Sequence, residues 1–293
     1  MWADLERETM QNFIPYTLDL RGRAFSLSQP KVMGILNVTP DSFFSASRTQ
    51  TINEIEKRIR QIVTEGASII DIGAYSSRPN AEDISTAEEM KRLRQGLDIL
   101  RKLYPEAIVS VDTFRADVAK MCVEEYNVQI VNDISGGKLD SRMFKTVAQL
   151  GVPYILMHMK GTPQTMQQAP YYGNVVKEVC SHFQGSIHEL QDAGVKDIIL
   201  DPGFGFGKTL EHNYQLLHDL EELHQFHLPL LTGFSRKSMI WKPLGITPEE
   251  ALNGTTVLNT ISLLKGVHIL RVHDVKECIE VVKLTQALKN NHV

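Results

Sequence analysis

Eight short apolar segments, each followed by a longer segment with helical spacing, occupy the chain from about residue 32 to residue 288. The apolar segments lack the alternation of polar and apolar residues that a half-exposed strand shows. Continuous strands of this kind are typical of a parallel sheet that is covered on both faces. Eight strand–helix units therefore predict an α/β fold, the (β/α)8 TIM barrel. A doubly wound sheet is the alternative, but it usually has fewer units.

The predicted strands are 32–38, 68–73, 107–112, 128–132, 153–158, 197–201, 229–233 and 267–272, and the predicted helices are 51–66, 86–103, 115–126, 139–150, 175–193, 210–226, 248–266 and 275–288. Ahead of them, residues 16–27 carry Arg21-Gly22-Arg23 in the middle and predict an N-terminal β-hairpin that closes the bottom of the barrel. We expect residues 1–293 to form one barrel domain, in which residues 1–30 are an N-terminal extension with the hairpin.

Composition excludes several classes of protein. The formal net charge is -4 and the cations form no basic stripe, which argues against a nucleic-acid partner. Cys122, Cys180 and Cys278 are far apart, a pattern that fits neither a disulfide framework nor a zinc site. No apolar run has the length of a signal peptide or a membrane span. We therefore expect a cytoplasmic protein without a membrane partner.

Polar side chains follow nearly every predicted strand, and in a barrel of this type the carboxyl ends of the strands carry the active site. These side chains are Asn37, Asp112, Asn132, Asp133, His158, Asp201, Lys237, Arg271 and His273. A single polar strand end is most simply a helix cap or turn residue, which is our interpretation of Asp133. A set that converges on one rim predicts a binding site instead.

The residue types in this set indicate the chemistry of the ligand. Asp112, Asn132 and Asp201 offer acceptors that suit the amidine-like edge of a flat heterocycle. Lys237, Arg271 and His273 supply positive charge, and a guanidinium matches the geometry of phosphate oxygens. The sequence therefore predicts a flat heterocycle that lies beside an anionic group.

A glycine-rich segment, DPGFGFGKT at residues 201–209, is similar to a nucleotide-binding motif without having its spacing. Three residues separate Gly203 from Gly207, whereas a P-loop has four between its first glycine and the Gly-Lys pair. We interpret the segment as a turn that lets the backbone approach a ligand closely, with Phe206 as an apolar wall. His158, at the end of the fifth predicted strand, could contact the ligand, but we favour its interpretation as a satisfied interior histidine.

Taken together, the motifs resemble those of the dihydropteroate synthase family over nearly the whole chain from about residue 18. The resemblance is carried by GILNVTPDSF (34–43), SVDT (110–113), NDI (132–134), LMHM (156–159), DPGFGFGK (201–208), SRKS (235–238) and RVHD (271–274). Each motif alone is weak, but the set in this order and at barrel spacing is specific to the family.

The resemblance implies a role for each matching residue. The pterin ring is implied to bind Asp112, Asn132, Met157, Asp201, Phe206, Gly233 and Lys237. The diphosphate is implied to bind Asn37, Ser77, Arg78, Arg271 and His273, with Asn37 as the contact of a Mg²⁺ cofactor. The p-aminobenzoate site is implied to contain Phe43, Pro79, Lys237 and Ser238. Sulfonamides compete for that site in the family, and its members often form homodimers through the last helices.

The reaction implied by the family condenses a dihydropterin methyl diphosphate with p-aminobenzoate and releases diphosphate. The C–O bond is expected to break before the amine attacks. Asp112, Lys237, Arg271 and His273 are the residues expected to act in catalysis, because charge develops on the leaving diphosphate and on the pterin.

Two loops depart from the family pattern. Relatives commonly carry Asp-Gly-Gly after the first-loop phenylalanine, whereas Phe43 is followed here by FSAS at residues 44–47. The second loop reads AYSSRPN at residues 74–80, and Tyr75 stands where relatives carry a carboxylate. We interpret both departures as variation within the family that retains catalysis.

Two other functions share parts of this pattern. A pterin-binding methyltransferase domain acting on methyl-tetrahydrofolate has the barrel and the acids but no diphosphate to hold. The cationic motifs at 235–238 and 271–273 count against it. A non-catalytic scaffold would have lost those same residues.

Overall fold

The computed structural model describes residues 13–38, 52–76 and 83–290. Its strands are β1 (Thr17–Leu20), β2 (Arg23–Ser26), β3 (Lys31–Asn37), β4 (Ile69–Gly73), β5 (Val109–Asp112), β6 (Ile130–Asp133), β7 (Tyr154–Met157), β8 (Ile198–Asp201), β9 (Leu231–Thr232) and β10 (Ile269–Val272). Its α-helices are Ile52–Thr64, Thr86–Leu103, Ala116–Tyr126, Met143–Leu150, Val175–Ala193, Leu210–His218, Ser238–Leu244, Leu252–Leu264 and Val275–Asn290.

Strands β3 to β10 form an eight-stranded sheet in the order β8-β7-β6-β5-β4-β3-β10-β9. All neighbouring pairs in this order are parallel. The two edges meet where the Leu200 amide donates to the Pro229 carbonyl at 2.9 Å and Leu200 bridges to Leu230. The barrel predicted from the apolar pattern is therefore confirmed.

The N-terminal hairpin closes the bottom of the barrel, as predicted. β1 and β2 pair antiparallel around a turn in which Arg21 and Gly22 have positive φ. The side chains of Leu18, Leu20 and Leu27 are buried against the apolar layer at the amino ends of the barrel strands. Phe13 continues this contact by stacking on His268 at 4.6 Å between ring centroids. The pole of the barrel opposite the strand carboxyl ends is thus filled by side chains.

Alternation along each strand separates the core from the site. In β4, Ile70 and Ile72 pack outward against the helices, whereas Ile69 belongs to the inner apolar layer. Because side chains alternate between the two faces of a strand, every second residue after Ile69 also points into the barrel, and these positions lie closer to the carboxyl end. Polar residues at those positions therefore point inward without disturbing the outer core.

Two helices begin four residues later than predicted, at Met143 and Leu252, and two larger differences from prediction stand out. Predicted helix 210–226 ends at His218, and Leu220–Phe226 continues as a 3-10 helix after Asp219. Helix Ser238–Leu244 was not predicted, because it is short and contains Pro243. Within the described ranges, no helix combines the length and apolar character needed to cross a bilayer.

Candidate active site

The carboxyl ends of the strands surround a pocket of about 690 Å³. Among the residues that line it are the predicted site residues Asn37, Asp112, Asn132, Met157, Asp201, Phe206, Gly233, Lys237, Ser238, Arg271 and His273. The fold thus brings together residues that the sequence pattern predicts to share one site. The remaining predicted site residues, Phe43, Ser77, Arg78 and Pro79, lie outside the described residues.

Arg271 occupies the centre of the polar part of the pocket, on β10. Its Nε donates to Asp71 Oδ2 at 2.6 Å, and its Nη2 donates to Asp112 Oδ2 at 2.7 Å. Burial opposes the charge of Arg271, but the carboxylates of Asp71 and Asp112 raise its pKa. Burial also raises the pKa of Asp112 to about 7, although Arg271 acts in the opposite direction. The pair therefore holds one permanent cation beside a carboxyl group that titrates near neutral pH.

Asp71 is a site residue that the sequence analysis missed. It lies in the middle of β4, is fully buried, and accepts hydrogen bonds from Arg271 and from Asn132 Nδ2, the latter at 3.0 Å. The prediction considered only residues at strand ends. The signal was an aspartate inside an otherwise apolar strand, a position where an acid is costly unless it has partners.

Lys237 and Phe206 form one wall together. Lys237 Nζ donates to the Phe204 carbonyl at 2.6 Å and lies 4.6 Å from the centroid of the Phe206 ring. Burial lowers the pKa of Lys237 to about 8, although Asp201 acts in the opposite direction. Burial raises the pKa of Asp201, whose Oδ1 accepts from the Gly203 amide at 2.8 Å. This part of the pocket presents a cation, a carboxyl group and an aromatic face side by side.

Two glycines of residues 201–209 let this segment pack closely against another loop. A Cβ on Gly203 would lie 2.0 Å from the His158 carbonyl oxygen, and one on Gly207 would lie 2.4 Å from that of Lys160. Both residues also have positive φ. The close approach of these two glycines is therefore to the backbone of the loop that follows β7, and the approach of this turn to a ligand stays a prediction.

Lys208 holds this glycine-rich loop from inside. Its Nζ donates to the carbonyls of Gly203 and Phe206 at 2.9 and 3.2 Å, and it lies 3.0 Å from His158 Nδ1. Burial lowers the pKa of Lys208 to about 7. His158 is buried and bonded in the interior, as interpreted from the sequence. Lys208 thereby fixes the loop that carries Phe206.

His273 is oriented by Ser235, a second residue that the sequence analysis did not assign. Ser235 Oγ accepts from the His273 amide at 3.1 Å and lies 3.0 Å from His273 Nδ1. Burial and the nearby cations, Arg271 first, hold the pKa of His273 well below its usual value, so the ring is neutral. We infer that the Ser235 hydroxyl donates its own hydrogen to Nδ1. The proton of the neutral ring then resides on Nε2.

Two arginines support the strand ends from outside the pocket centre. Arg58 Nη2 donates to the His273 carbonyl at 2.6 Å and to the Ile35 carbonyl at 3.3 Å. Arg236, at a positive φ of 55°, forms a two-point ion pair with Asp274 at 2.9 Å for each hydrogen bond. Because Arg236 is paired with Asp274, Lys237 is the residue of the motif at 235–238 that presents its cation to the pocket.

The other wall is apolar. Met157 and Phe206 belong to a cluster that also contains Ile134, Met159 and Met166. Ile134 and Met166 line the pocket as well and were not predicted. Asp133, by contrast, does not line it: its carboxylate accepts from the amides of Ser135 and Gly137 and from the Tyr154 hydroxyl. Our interpretation of Asp133 as a turn residue is confirmed.

Asn37 is the pocket residue that the family resemblance links to a metal ion. Within residues 13–38, 52–76 and 83–290, no group of three His, Cys, Asp or Glu side chains is arranged to hold one. Mg²⁺ is commonly bound by one or two protein oxygens together with substrate phosphates and water. The amide of Asn37, which lines the pocket, fits that kind of site.

Comparison with known proteins places this chain in context. The family described as pterin binding enzymes matches residues 33–273. The chain is 41% identical to a dihydropteroate synthase of Escherichia coli (strain K12) over 269 residues, which cover 91% of this chain and 94% of that relative. A dihydropteroate synthase of Synechocystis is 40% identical, with 88% of this chain and 89% of the relative covered.

Solved structures give the same result. A Yersinia pestis dihydropteroate synthase with a sulfonamide drug complex superposes with a TM-score of 0.89 at 39% identity, covering 94% of this chain and all of that one. A Thermus thermophilus dihydropteroate synthase in complex with 4-aminobenzoate superposes with a TM-score of 0.83 at 37% identity, covering 93% of this chain and all of that one.

Proposed function

The chain belongs to the dihydropteroate synthase family of pterin-binding enzymes, and we propose on that premise how its pocket residues divide the reaction. The enzyme is a transferase that condenses (7,8-dihydropterin-6-yl)methyl diphosphate with p-aminobenzoate to give 7,8-dihydropteroate and diphosphate. The main support for this assignment of roles is the position of Arg271, which is bonded to Asp112 at 2.7 Å. This bond puts an anion-binding group directly beside the acids that suit a pterin.

The pterin ring binds between the polar and apolar walls. Asp112, Asn132 and Asp201 bond its amide and amino edge, and Lys237 bonds the opposite edge. Met157 and Phe206 lie against its faces, and Gly233 leaves room at the floor. Carboxylates near a ring that becomes cationic stabilise it electrostatically, which favours breakage of the C–O bond before the amine attacks.

The diphosphate binds at Arg271 and His273, with Asn37, Ser77 and Arg78 as further ligands. Arg271 offers a charge-assisted hydrogen bond that strengthens as negative charge collects on the leaving oxygen. His273, neutral with its proton on Nε2, contributes a hydrogen-bond donor rather than a second cation. When bound at Asn37, Mg²⁺ would neutralise charge on the diphosphate.

The p-aminobenzoate site is proposed to comprise Phe43, Pro79, Lys237 and Ser238. Ser238 begins helix Ser238–Leu244 and lines the pocket beside Trp241. A carboxylate suits the amino end of a helix, where backbone N–H groups are unpaired. Sulfonamides would compete for this same position.

One assay tests the proposed function. Purified protein should form dihydropteroate from the two substrates, and omission of Mg²⁺ should slow the reaction strongly. Transfer of a methyl group from methyl-tetrahydrofolate, measured in parallel, should not occur. Methyl transfer without diphosphate release would favour the methyltransferase alternative.

The proposal extends to the state of the protein in the cell. We propose a cytoplasmic homodimer in which residues 1–293 act as one domain. Val257 on helix Leu252–Leu264 and Leu284 and Leu288 on helix Val275–Asn290 are 48%, 72% and 51% exposed, which supports a contact through the last helices. Light scattering of the wild type and of Leu284→Asp tests this contact: a wild-type monomer would contradict it.

A further inference from the structure

Asp71 is placed unlike the two acids that line the pocket, Asp112 and Asp201. It lies between Ile70 and Ile72 in β4, with none of its surface exposed. The registered neighbours on the adjacent strands are Ile35 and Ser110. An acid enclosed in this way costs several kcal/mol unless its charge is matched by partners, so its partners indicate its purpose.

Those partners are both residues of the proposed substrate site. A single oxygen, Oδ2, accepts from Arg271 Nε at 2.6 Å and from Asn132 Nδ2 at 3.0 Å. Oδ1 bonds to no residue in the described part of the chain. One atom of Asp71 therefore joins a group assigned to the diphosphate with a group assigned to the pterin.

The bonds from Asn132 and Arg271 to Asp71 determine which atoms of these two side chains face the substrate pocket. Asn132 uses its amide nitrogen toward Asp71, so the amide oxygen is turned away from Asp71 and toward the pocket that Asn132 lines. Arg271 uses its Nε edge toward Asp71, which directs its terminal nitrogens toward Asp112 and the pocket. Without Asp71, the Asn132 amide would lose this partner and the Arg271 guanidinium would keep only its bond to Asp112, so the orientation of both groups would be less well defined.

Stability alone is a weak explanation for this arrangement. Apolar residues of similar volume usually replace a buried ion pair without loss of stability. Ile69, one inner position below Asp71 on the same strand, shows that the barrel interior accepts an apolar side chain.

We propose that Asp71 is a positioning residue of the synthase reaction, which orients Asn132 for the pterin and Arg271 for the diphosphate through one shared oxygen. This inference rests on the proposed function. It assigns to Asp71 no contact with substrate.

Three variants separate orientation from bulk structure. Asp71→Ala removes the acceptor. Asp71→Asn can keep a carbonyl oxygen in the place of Oδ2, with its amide on the unbonded side. Ser110→Ala is the matched control, because Ser110 is equally buried beside Asp71 and its hydroxyl bonds to no described residue. Calorimetry then measures the affinity of each folded variant for the pterin alcohol and the pterin diphosphate.

We expect Asp71→Ala to weaken both ligands by about tenfold or more, because each loses an oriented partner. Asp71→Asn and Ser110→Ala should bind both ligands within about threefold of the wild type, since the bonds to Asn132 and Arg271 are kept. Affinity within threefold in Asp71→Ala, a loss confined to one ligand, or an equal loss in Asp71→Asn would overturn the proposal.

A pH profile provides a readout that a purely structural role would not move, and it decides the matter if Asp71→Ala does not fold. Arg271 lowers the pKa of Asp112, whereas Asp71, Glu89 and Asp133 raise it. Removing the charge of Asp71 should therefore shift the acid limb of kcat/KM to lower pH in Asp71→Asn, by about half a unit or more. In Ser110→Ala, the pH at which kcat/KM falls on the acid side should be the same as in the wild type. If that pH were also unchanged in Asp71→Asn, the proposal would be overturned.

The two proposals fail in different ways. If the wild type forms no dihydropteroate, the proposed function is wrong. If the wild type is active and binds both ligands but the Asp71 variants behave like it, only the role of Asp71 is wrong.

Discussion

Arg271 Nη2 and Asp112 Oδ2 are 2.7 Å apart, so the residues assigned to opposite ends of the pterin substrate are bonded to each other. Substrate must enter beside this bond rather than between separated groups. Any change at one residue is therefore felt at the other, and mutants of the pair need to be interpreted together.

Asp112→Asn should lower kcat by about 100-fold while the protein remains folded, because the carboxylate that faces the developing pterin cation is lost. In the wild type, kcat/KM should fall as the pH drops below about 7, since burial raises the pKa of Asp112 to about 7 and its charged form is then lost. Steady-state kinetics from pH 5.5 to 9, with circular dichroism as the folding control, test both. A folded variant with near-normal turnover contradicts the role.

Arg271→Ala should weaken the pterin diphosphate far more than the pterin alcohol, because a charge-assisted bond to phosphate exists only when phosphate is present. The change also removes the cation that pairs with the buried carboxylate of Asp71 and the partly buried one of Asp112, which should lower the free energy of unfolding by about 3 kcal/mol. Calorimetry and chemical denaturation measure the two effects. Equal weakening of both ligands would show that Arg271 acts through structure alone.

Ser235→Ala should release the ring of His273 from its fixed tautomer and weaken pterin diphosphate binding by about fivefold. Nitrogen NMR of the wild-type imidazole should find the proton on Nε2. Ser262→Ala, which removes a buried hydroxyl bonded to Thr232 instead, is the control. A wild-type ring protonated on Nδ1 would refute the inferred tautomer.

Lys208→Met should reveal the cost of burying a charged lysine. Burial lowers the pKa of Lys208 from 10.5 to about 7, so between these values the unfolded chain binds a proton that the folded protein has lost. The wild type should therefore gain stability relative to Lys208→Met as pH rises from about 7 to 10. Urea denaturation of both proteins at pH 6.5 and 9.5 tests the sign, and an unchanged difference would mean that Lys208 titrates normally.

Phe43→Ala should raise the KM for p-aminobenzoate strongly and leave pterin diphosphate affinity nearly intact. Phe43 lies outside the described residues, so this expectation comes from the family pattern and from the absence of an acid at Ser45. Closure of the first loop would then depend on apolar contact. Ser45→Asp, which restores the common family residue, should be tolerated, whereas an unchanged KM in Phe43→Ala would exclude this view of the loop.

The sequence predicted the fold well because apolar strands and helical spacing repeat with the regularity that a closed parallel barrel requires. It also predicted the pocket residues that stand at strand ends, such as Asp201 and His273. It missed Asp71 and Ser235, whose importance depends on neighbours that are remote along the chain. Spacing likewise could not reveal which backbone Gly203 approaches, since that depends on how two loops pack.

The hairpin at the bottom of the barrel has a practical consequence for anyone who handles this protein. Phe13 stacks on His268 at the pole that faces away from the pocket, so a tag or reporter domain joined directly to Phe13 in place of residues 1–12 would start on the far side from the substrate entrance. Immobilisation through that end should leave both substrates free to diffuse in. A surface-bound preparation, with its pockets turned toward solvent, would suit inhibitor screening by surface plasmon resonance.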